Sequence, residues 1–236
     1  MFSKDGFLDG EILLIDKPLE WTSFQVVNAI RWAIRKRYDL KKIKVGHAGT
    51  LDPLATGLLI VCTGKATKKI QEIQEQEKTY EGSLVLGKTT PSYDLETEVD
   101  NEYPVDHITE TAIKNAATYF VGNIMQKPPI FSAIRKEGKR LYEFARKGEK
   151  VEIPERHVYI RELEITGFQL PEVHFRVVCS KGTYIRSLAH DMGKALGSGA
   201  YLSALRRTKI GPYNVDNAWL PQKFKEALAG GAENTG

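Results

Sequence analysis

Between positions 46 and 57 the chain reads Gly46-His47-Ala48-Gly49-Thr50-Leu51-Asp52-Pro53-Leu54-Ala55-Thr56-Gly57. Three glycines, a proline, a histidine and a single acid within twelve residues describe a tight loop that something must approach closely, because glycine alone enters backbone conformations closed to other side chains. The apolar run Leu58-Leu59-Ile60-Val61-Cys62 follows at once and reads as a strand. A phosphate loop does not fit. That pattern needs Gly-Lys followed by Ser or Thr, whereas Ala66 follows Gly64-Lys65 and Leu59 stands where a glycine belongs. Gly197-Ser198-Gly199 likewise meets Leu202 where a dinucleotide fingerprint wants glycine. An Asp before Pro in a loop is, taken alone, a common turn residue.

Other chemistries are thinned out in the same way. His47, His107, His157, His174 and His190 are scattered singly, without metal-ligand spacing, so no metal is expected. No Gly-x-Ser-x-Gly elbow marks a serine hydrolase. Cys62 and Cys179 each lie in an apolar run and are expected as reduced core residues. With 42% hydrophobic and 27% charged residues, the chain has the composition of a globular protein rather than a disordered one. The longest apolar run is too short to span a bilayer and the first residues lack a signal-peptide core, so a cytoplasmic protein without a membrane partner is expected.

The net charge is only +4, but it is segregated. Arg31, Arg35, Lys36, Arg37, Lys41, Lys42 and Lys44 cluster with Asp39 as the only acid among them, a second basic stretch runs over 135–150, and acids gather over 94–110. Each run alone is equally well a solvated face; two of them, together with Arg206, Arg207 and Lys209, favour a nucleic-acid partner.

Local patterns predict a strand over 11–16, a Pro-bearing turn, and a helix capped by Thr22 with Gln25 completing a capping box and Trp21 and Val26 forming a staple. Strands are expected over 58–63, 78–87, 158–168, 173–180 and 208–213, with a short one through Ile130 and Phe131. Helices are expected through Ile70 and Ile73, over 109–121, 139–148 and 182–196, and near 222–228. Residues 89–106 are acidic and aperiodic and are expected as an exposed connection. This irregular interleaving favours an α+β fold with a mixed or antiparallel sheet over a doubly wound one.

The 46–57 loop resembles the signature of the TruB family of tRNA pseudouridine synthases, Gly-His-x-Gly-Thr-Leu-Asp-Pro-x-Ala-x-Gly, at every fixed position. The resemblance continues through Asp16-Lys17-Pro18 with Thr22-Ser23, Lys78-Thr79-Tyr80-Glu81-Gly82, Pro128-Pro129 with Ser132-Ala133, Gly138-Lys139-Arg140 with Tyr142, Cys179-Ser180-Lys181-Gly182-Thr183-Tyr184-Ile185-Arg186-Ser187-Leu188, and Leu205-Arg206-Arg207-Thr208. It implies the pseudouridine-synthase fold: a mixed, mainly antiparallel sheet flanked by helices. It implies Asp52 as the catalytic aspartate, acting without a cofactor, and Arg186 as the active-site arginine that pairs with it. Tyr80 resembles the tyrosine that stacks on the flipped base, and His47 the histidine that holds the flipped conformation. Lys17, Tyr184 and Leu205 match pocket-lining positions.

The expected partner is tRNA, bound at its T-arm by a monomer, with Arg31, Arg35, Lys41, Lys42, Lys44, Arg135, Lys139, Arg206 and Arg207 on the RNA backbone. The family pattern is broken at Glu20, where Gly is usual, and at Phe131 and Arg135, where Tyr and Lys are common; the Thr89-Thr90-Pro91-Ser92-Tyr93-Asp94 stretch also departs from the common spelling. Residues 209–236 are too few for the RNA-binding PUA domain that many relatives carry, since cores below about 40 residues generally need disulfides or metals. One catalytic domain over 1–213 with a short helix and tail over 214–236, and no PUA domain, is therefore expected. The alternatives are a related synthase acting on another RNA or within a guided ribonucleoprotein, and a non-catalytic RNA-binding protein or tRNA folding chaperone, which would have no use for Asp52, Arg186, Tyr80 and His47 together.

Overall fold

A computed structural model describes residues 2–132, 134–136, 138–146, 148–149 and 151–230. The chain forms two compact units, residues 1–79 with 206–236 and residues 80–205. The first begins with α1 (Lys4–Asp9), β1 (Ile12–Lys17), α2 (Ser23–Tyr38), β2 (Val45–His47) and β3 (Ala55–Thr63). A 3-10 turn (Gly64–Lys69) and α3 (Ile70–Glu75) lead into β4 (Lys78–Leu86), inside which the second unit starts. That unit holds β5 (Lys88–Thr89), β6 (Asn101–Glu102), α4 (Glu110–Thr118), β7 (Gly122–Gln126), β8 (Arg135–Lys136), β9 (Lys139–Arg140) and α5 (Leu141–Arg146). It continues through β10 (Arg156–Gln169), β11 (Glu172–Cys179), α6 (Ile185–Ala195) and into β12 (Ala200–Ile210), whose second half returns to the first unit. There β13 (Tyr213–Asn214), a 3-10 turn (Val215–Asn217) and α7 (Pro221–Gly230) complete the described chain.

In the first unit β1 runs antiparallel to β3, from Ile12 opposite Cys62 to Lys17 opposite Gly57, and β2 pairs with the end of β3, His47 opposite Val61. The apolar run of β3 is buried on both faces. Leu59 and Val61 join Ile30 and Ile34 of α2 and Phe224 and Leu228 of α7 in one core cluster, while Leu58, Ile60 and Cys62 join Ala48, Ile73 and Ile210 in another. Full burial of each such side chain contributes roughly 1.5–3 kcal/mol, so β3 is the spine of the unit. The capping box expected at Thr22 is formed: its hydroxyl accepts from the Gln25 amide and the Gln25 side chain accepts from the Thr22 amide.

In the second unit the strands run in the order β12, β4, β11, β10, β7. β10 is antiparallel to both neighbours, with Ile165 opposite Phe175 and Val158 opposite Ile124. α4 packs on β10 and against α6. The α+β class and the mainly antiparallel pairing are as the sequence predicts.

Four local expectations need correction. The stretch 89–106 is an exposed connection only in part: 95–106 is mostly exposed, but Thr89, Thr90, Ser92 and Asp94 are buried, and β5 and β6 pair across it. No strand forms at Ile130 and Phe131, which sit in a bend; the strand of this region is β7, earlier in the chain. The expected helix from 139 begins instead at Leu141, because Lys139 and Arg140 pair with β8. The strand expected over 208–213 is instead the end of a longer β12, which runs from Ala200 and stops at Ile210. Cys62 and Cys179 are buried and not joined in a disulfide, as expected.

Candidate active site

In the first unit, the backbone around Asp52 is fastened residue by residue. The carbonyls of Gly49 and Thr50 accept from the Arg207 guanidinium, Nη2 at 3.1 Å and Nη1 at 3.4 Å, while Arg207 Nε donates to Leu58 O at 2.8 Å. The Ser23 hydroxyl bonds Leu51 twice, accepting from its amide at 2.9 Å and donating to its carbonyl at 3.0 Å. The Asp52 carbonyl accepts from the Ala55 amide, and the Pro53 carbonyl from the Glu20 amide and from Lys17 Nζ. Five consecutive residues are thereby held, and the half-buried Asp52 side chain is presented from a fixed backbone.

Two further residues, one at the end of the loop and one outside it, explain its shape. Gly57 sits at φ +104°, where an added Cβ would lie 2.3 Å from the Arg207 carbonyl, so only glycine lets β3 approach β12 there. Glu20, where the family usually has Gly, takes φ +65°, a conformation natural to glycine and strained for glutamate.

Lys17 is fully buried. Its ammonium donates to the carbonyls of Pro18, Trp21 and Pro53, at 2.9, 2.6 and 3.3 Å, which uses all three protons. Burial pushes its pKa down to about 8, with the charge of Asp52 opposing the fall and that of Arg207 adding to it. His47, half-buried at the end of β2, also has its pKa pushed below the usual value, chiefly by burial and further by the Arg207 charge, against a backbone contact with Gly49. Its imidazole is therefore neutral at pH 7.

In the second unit Arg186 lies in the first turn of α6 and is 5% exposed. Its Nη1 donates to the carbonyls of Ser92 and Phe131, and its Nε lies 3.5 Å from Asp94 Oδ2. One turn on, His190 stacks on Tyr93, ring centroids 3.8 Å apart, and Tyr93 holds φ +64°. Burial takes the His190 pKa down to about 4, the Lys194 charge lowering it further against Asp100. Tyr184 caps α6 at its N-terminus, where its amide and carbonyl bond the Gln126 side chain and Arg156 lies over its ring. Tyr80 in β4 is buried and Leu205 in β12 half-buried.

The family model described as TruB family pseudouridylate synthase, N-terminal domain, matches residues 35–185, and that of the tRNA pseudouridylate synthase B C-terminal domain matches 186–234. The chain belongs to the TruB family. It is 60% identical to tRNA pseudouridine synthase B of Flavobacterium johnsoniae over 95% of this chain and 98% of that one. The enzyme of the same name from Parabacteroides distasonis is 55% identical over 94% of each chain. Among solved structures, a chain of a Cbf5-Nop10-Gar1 complex superposes with a TM-score of 0.74 at 29% identity, covering 99% of this chain; this TruB-family chain spans 59% of that one's length.

The structure corrects several residue expectations. Arg207 is not on the RNA backbone, because it is 1% exposed and its guanidinium is spent on the Asp52 loop. Arg206 forms a bidentate pair with Asp16 at 2.8 and 3.0 Å, and Arg31 spans Asn28 and the Val45 carbonyl, so both have structural partners. Lys17 is fully buried and reaches the loop from inside the protein, where its ammonium bonds the Pro53 carbonyl. Arg35, Lys41, Lys42 and Lys44 are exposed. The side chains of Arg135 and Lys139 lie outside the described residues. Among the described residues no group of three or more His, Cys, Asp and Glu is placed to hold a metal, and no helix is long and apolar enough to cross a membrane. Ser23, Asp94 and Gln126 are site-supporting residues that sequence reasoning did not assign.

Proposed function

We propose that this protein isomerises the T-loop uridine of tRNA to pseudouridine. The observation that carries the assignment is the Asp52 loop: the complete family signature, with the backbone of residues 49–53 bonded in place, in a chain 60% identical to a tRNA pseudouridine synthase B. In the reaction the bond from C1′ to N1 of uracil breaks, the base turns, a bond from C1′ to C5 forms, C5 loses its proton and N1 takes one up, so mass is unchanged. Asp52 supplies the carboxylate, as nucleophile or base, and no cofactor takes part. Arg186 serves as the active-site arginine, Tyr80 stacks on the extracted base, His47 supports the flipped nucleotide as a neutral imidazole, and Tyr184 and Leu205 bound the uracil pocket. Arg35, Lys41, Lys42 and Lys44 meet the RNA backbone. The enzyme acts as a monomer in the cytoplasm on the T-arm. The higher identity to enzymes named tRNA pseudouridine synthase B than to the chain from the Cbf5-Nop10-Gar1 complex favours tRNA over a guided substrate.

The test is carbodiimide mapping of pseudouridine in unmodified tRNA treated with the wild type and with Asp52→Asn. One new adduct in the T-loop, absent with the variant, is expected. Modification elsewhere, or a variant within tenfold of wild type, which is about 1.4 kcal/mol of barrier, would overturn the assignment.

A further inference from the structure

α2 buries Ser23, Val26, Val27, Ile30, Ala33 and Ile34 against the core of the first unit. Its opposite side leaves two aromatic rings in solvent: Phe24 is 65% and Trp32 58% exposed. Soluble helices usually place charged and polar residues there, and exposed aromatics on an otherwise polar face mark a contact surface. The charges around these rings are mostly positive, with Glu20 and Asp39 exposed at the two ends of the helix. No Asp or Glu occurs from Trp21 to Tyr38, and Arg35, Lys36, Lys41, Lys42 and Lys44 are exposed beside or just beyond the helix. Basic residues in the last turn suit the helix dipole, which accounts for Arg35, Lys36 and Arg37 but not for the rings.

Trp32 is also primed electrostatically. Lys36 Nζ sits 4.9 Å from its ring centre, so an aromatic face and a cation are presented together. The surface starts beside the proposed catalytic loop: Phe24 directly follows Ser23, whose hydroxyl is bonded to Leu51. From Phe24 to Lys36 the helix rises about 18 Å, at roughly 1.5 Å per residue.

We propose that the outer face of α2 is a single-strand RNA track on which unpaired nucleotides of the tRNA stack against Trp32 and Phe24, with Arg35 and Lys36 on their phosphates. The inference rests on the tRNA substrate proposed above and adds base stacking to what would otherwise be phosphate attraction alone. A protein partner fits the surface less well, since protein interfaces are depleted of lysine, and Lys36, Lys41, Lys42 and Lys44 lie exposed beside or just beyond these rings. RNA carries a π-face on every base and a negative charge on every phosphate, the two features this face answers.

Equilibrium binding of unmodified tRNA across a salt series tests it, using the full chain as wild type, Trp32→Ala, Trp32→Phe and Tyr119→Ala, an 81% exposed aromatic in the other unit. Stacking and counterion release are separable, because only the second sets the slope of log affinity against log salt. Trp32→Ala should weaken binding roughly tenfold with an unchanged slope. Trp32→Phe should recover most of the loss, Tyr119→Ala should match wild type, and the Trp32→Ala loss should vanish on a fully paired RNA duplex. Trp32→Ala within twofold of wild type on tRNA, or an equal loss on duplex, would overturn the proposal. Altered self-association of Trp32→Ala in sedimentation with tRNA affinity intact would also overturn it, in favour of a protein contact. Pseudouridine formation by the wild type is scored on the same tRNA: its absence would remove the proposed function while the binding comparison still decides the track.

Discussion

Replacing Arg207 by Met keeps much of the stem volume and removes every donor that holds the first part of the Asp52 loop. Two of the lost bonds are of good length, 2.8 Å to Leu58 O and 3.1 Å to Gly49 O, and the third, 3.4 Å to Thr50 O, is weak. Hydrogen bonds from a charged donor contribute about 1.5–3 kcal/mol each, and the buried carbonyls left behind keep their desolvation cost. Against this, removing a buried charge relieves its own desolvation, so a net loss of about 3–4 kcal/mol is expected. Urea unfolding reads that directly. Displacement of the loop should also lower the rate, since about 1 Å of misplacement costs on the order of a hundredfold. Single-turnover tritium release from C5-labelled uridine in tRNA measures it, at a temperature where the variant is folded. Arg207→Lys keeps the charge but has one nitrogen where three acceptors wait, and should fall between wild type and Arg207→Met. A third readout comes from electrostatics: the Arg207 charge helps lower the His47 pKa, so in Arg207→Met the His47 imidazole should titrate at higher pH by NMR. A loss under 1 kcal/mol together with a wild-type rate would refute the claim that Arg207 holds the loop.

Ser23→Ala leaves both the amide and the carbonyl of Leu51 without their buried partner, so urea unfolding should show a loss of about 2 kcal/mol, with a slower single-turnover rate. Lys17, with its folded pKa near 8 against 10.5, binds fewer protons in the fold than in the unfolded chain between those values. Wild-type stability relative to Lys17→Met should therefore rise as pH goes from 8 to 10.5, and a flat difference would contradict it. His190, lowered from 6.5 to about 4, is protonated first in the unfolded chain, so stability should fall as pH drops through that window. His190→Phe keeps a ring against Tyr93 and takes no proton, and in urea titrations its advantage over wild type should grow from pH 7 to pH 4.5.

What the sequence displayed well was what depends on neighbours in the chain. The capping box at Thr22 and Gln25 rests on contacts within a few residues, the strand through Leu58 and Val61 on one continuous apolar run, and the loop was legible as a motif although the bonds that hold it are distant. Burial of charged groups was harder, although part of it was written in the two-residue period of strands. In β1, Leu13, Ile15 and Lys17 share the inward face, so the strand's period already places Lys17 inside. Arg206 and Arg207 are adjacent in β12 and must point to opposite faces: one meets Asp16 while the other enters the loop, and a charge count treats them alike. The 89–106 stretch had no such signal. Burial of its first part, 89–94, depends on Arg186 and His190 reaching Ser92, Asp94 and Tyr93 from almost a hundred residues away.

The supports of the Asp52 loop come from segments that no local folding event brings together. Glu20 and Ser23 arrive with β1 and α2, and Arg207 arrives with β12, 158 residues after Gly49. None of these bonds can form before the strands pair, and the closeness of β12 to β3 in turn depends on Gly57, where a side chain would strike the Arg207 backbone. The glycine that appears in the signature as loop chemistry is therefore a packing requirement two steps removed from the carboxylate: it admits the Arg207 backbone, and the Arg207 guanidinium then reaches back to Gly49 and Thr50. A residue can thus belong to a catalytic signature without touching substrate, and loss of Gly57 should be felt first in folding of the unit and only through that in the presentation of Asp52.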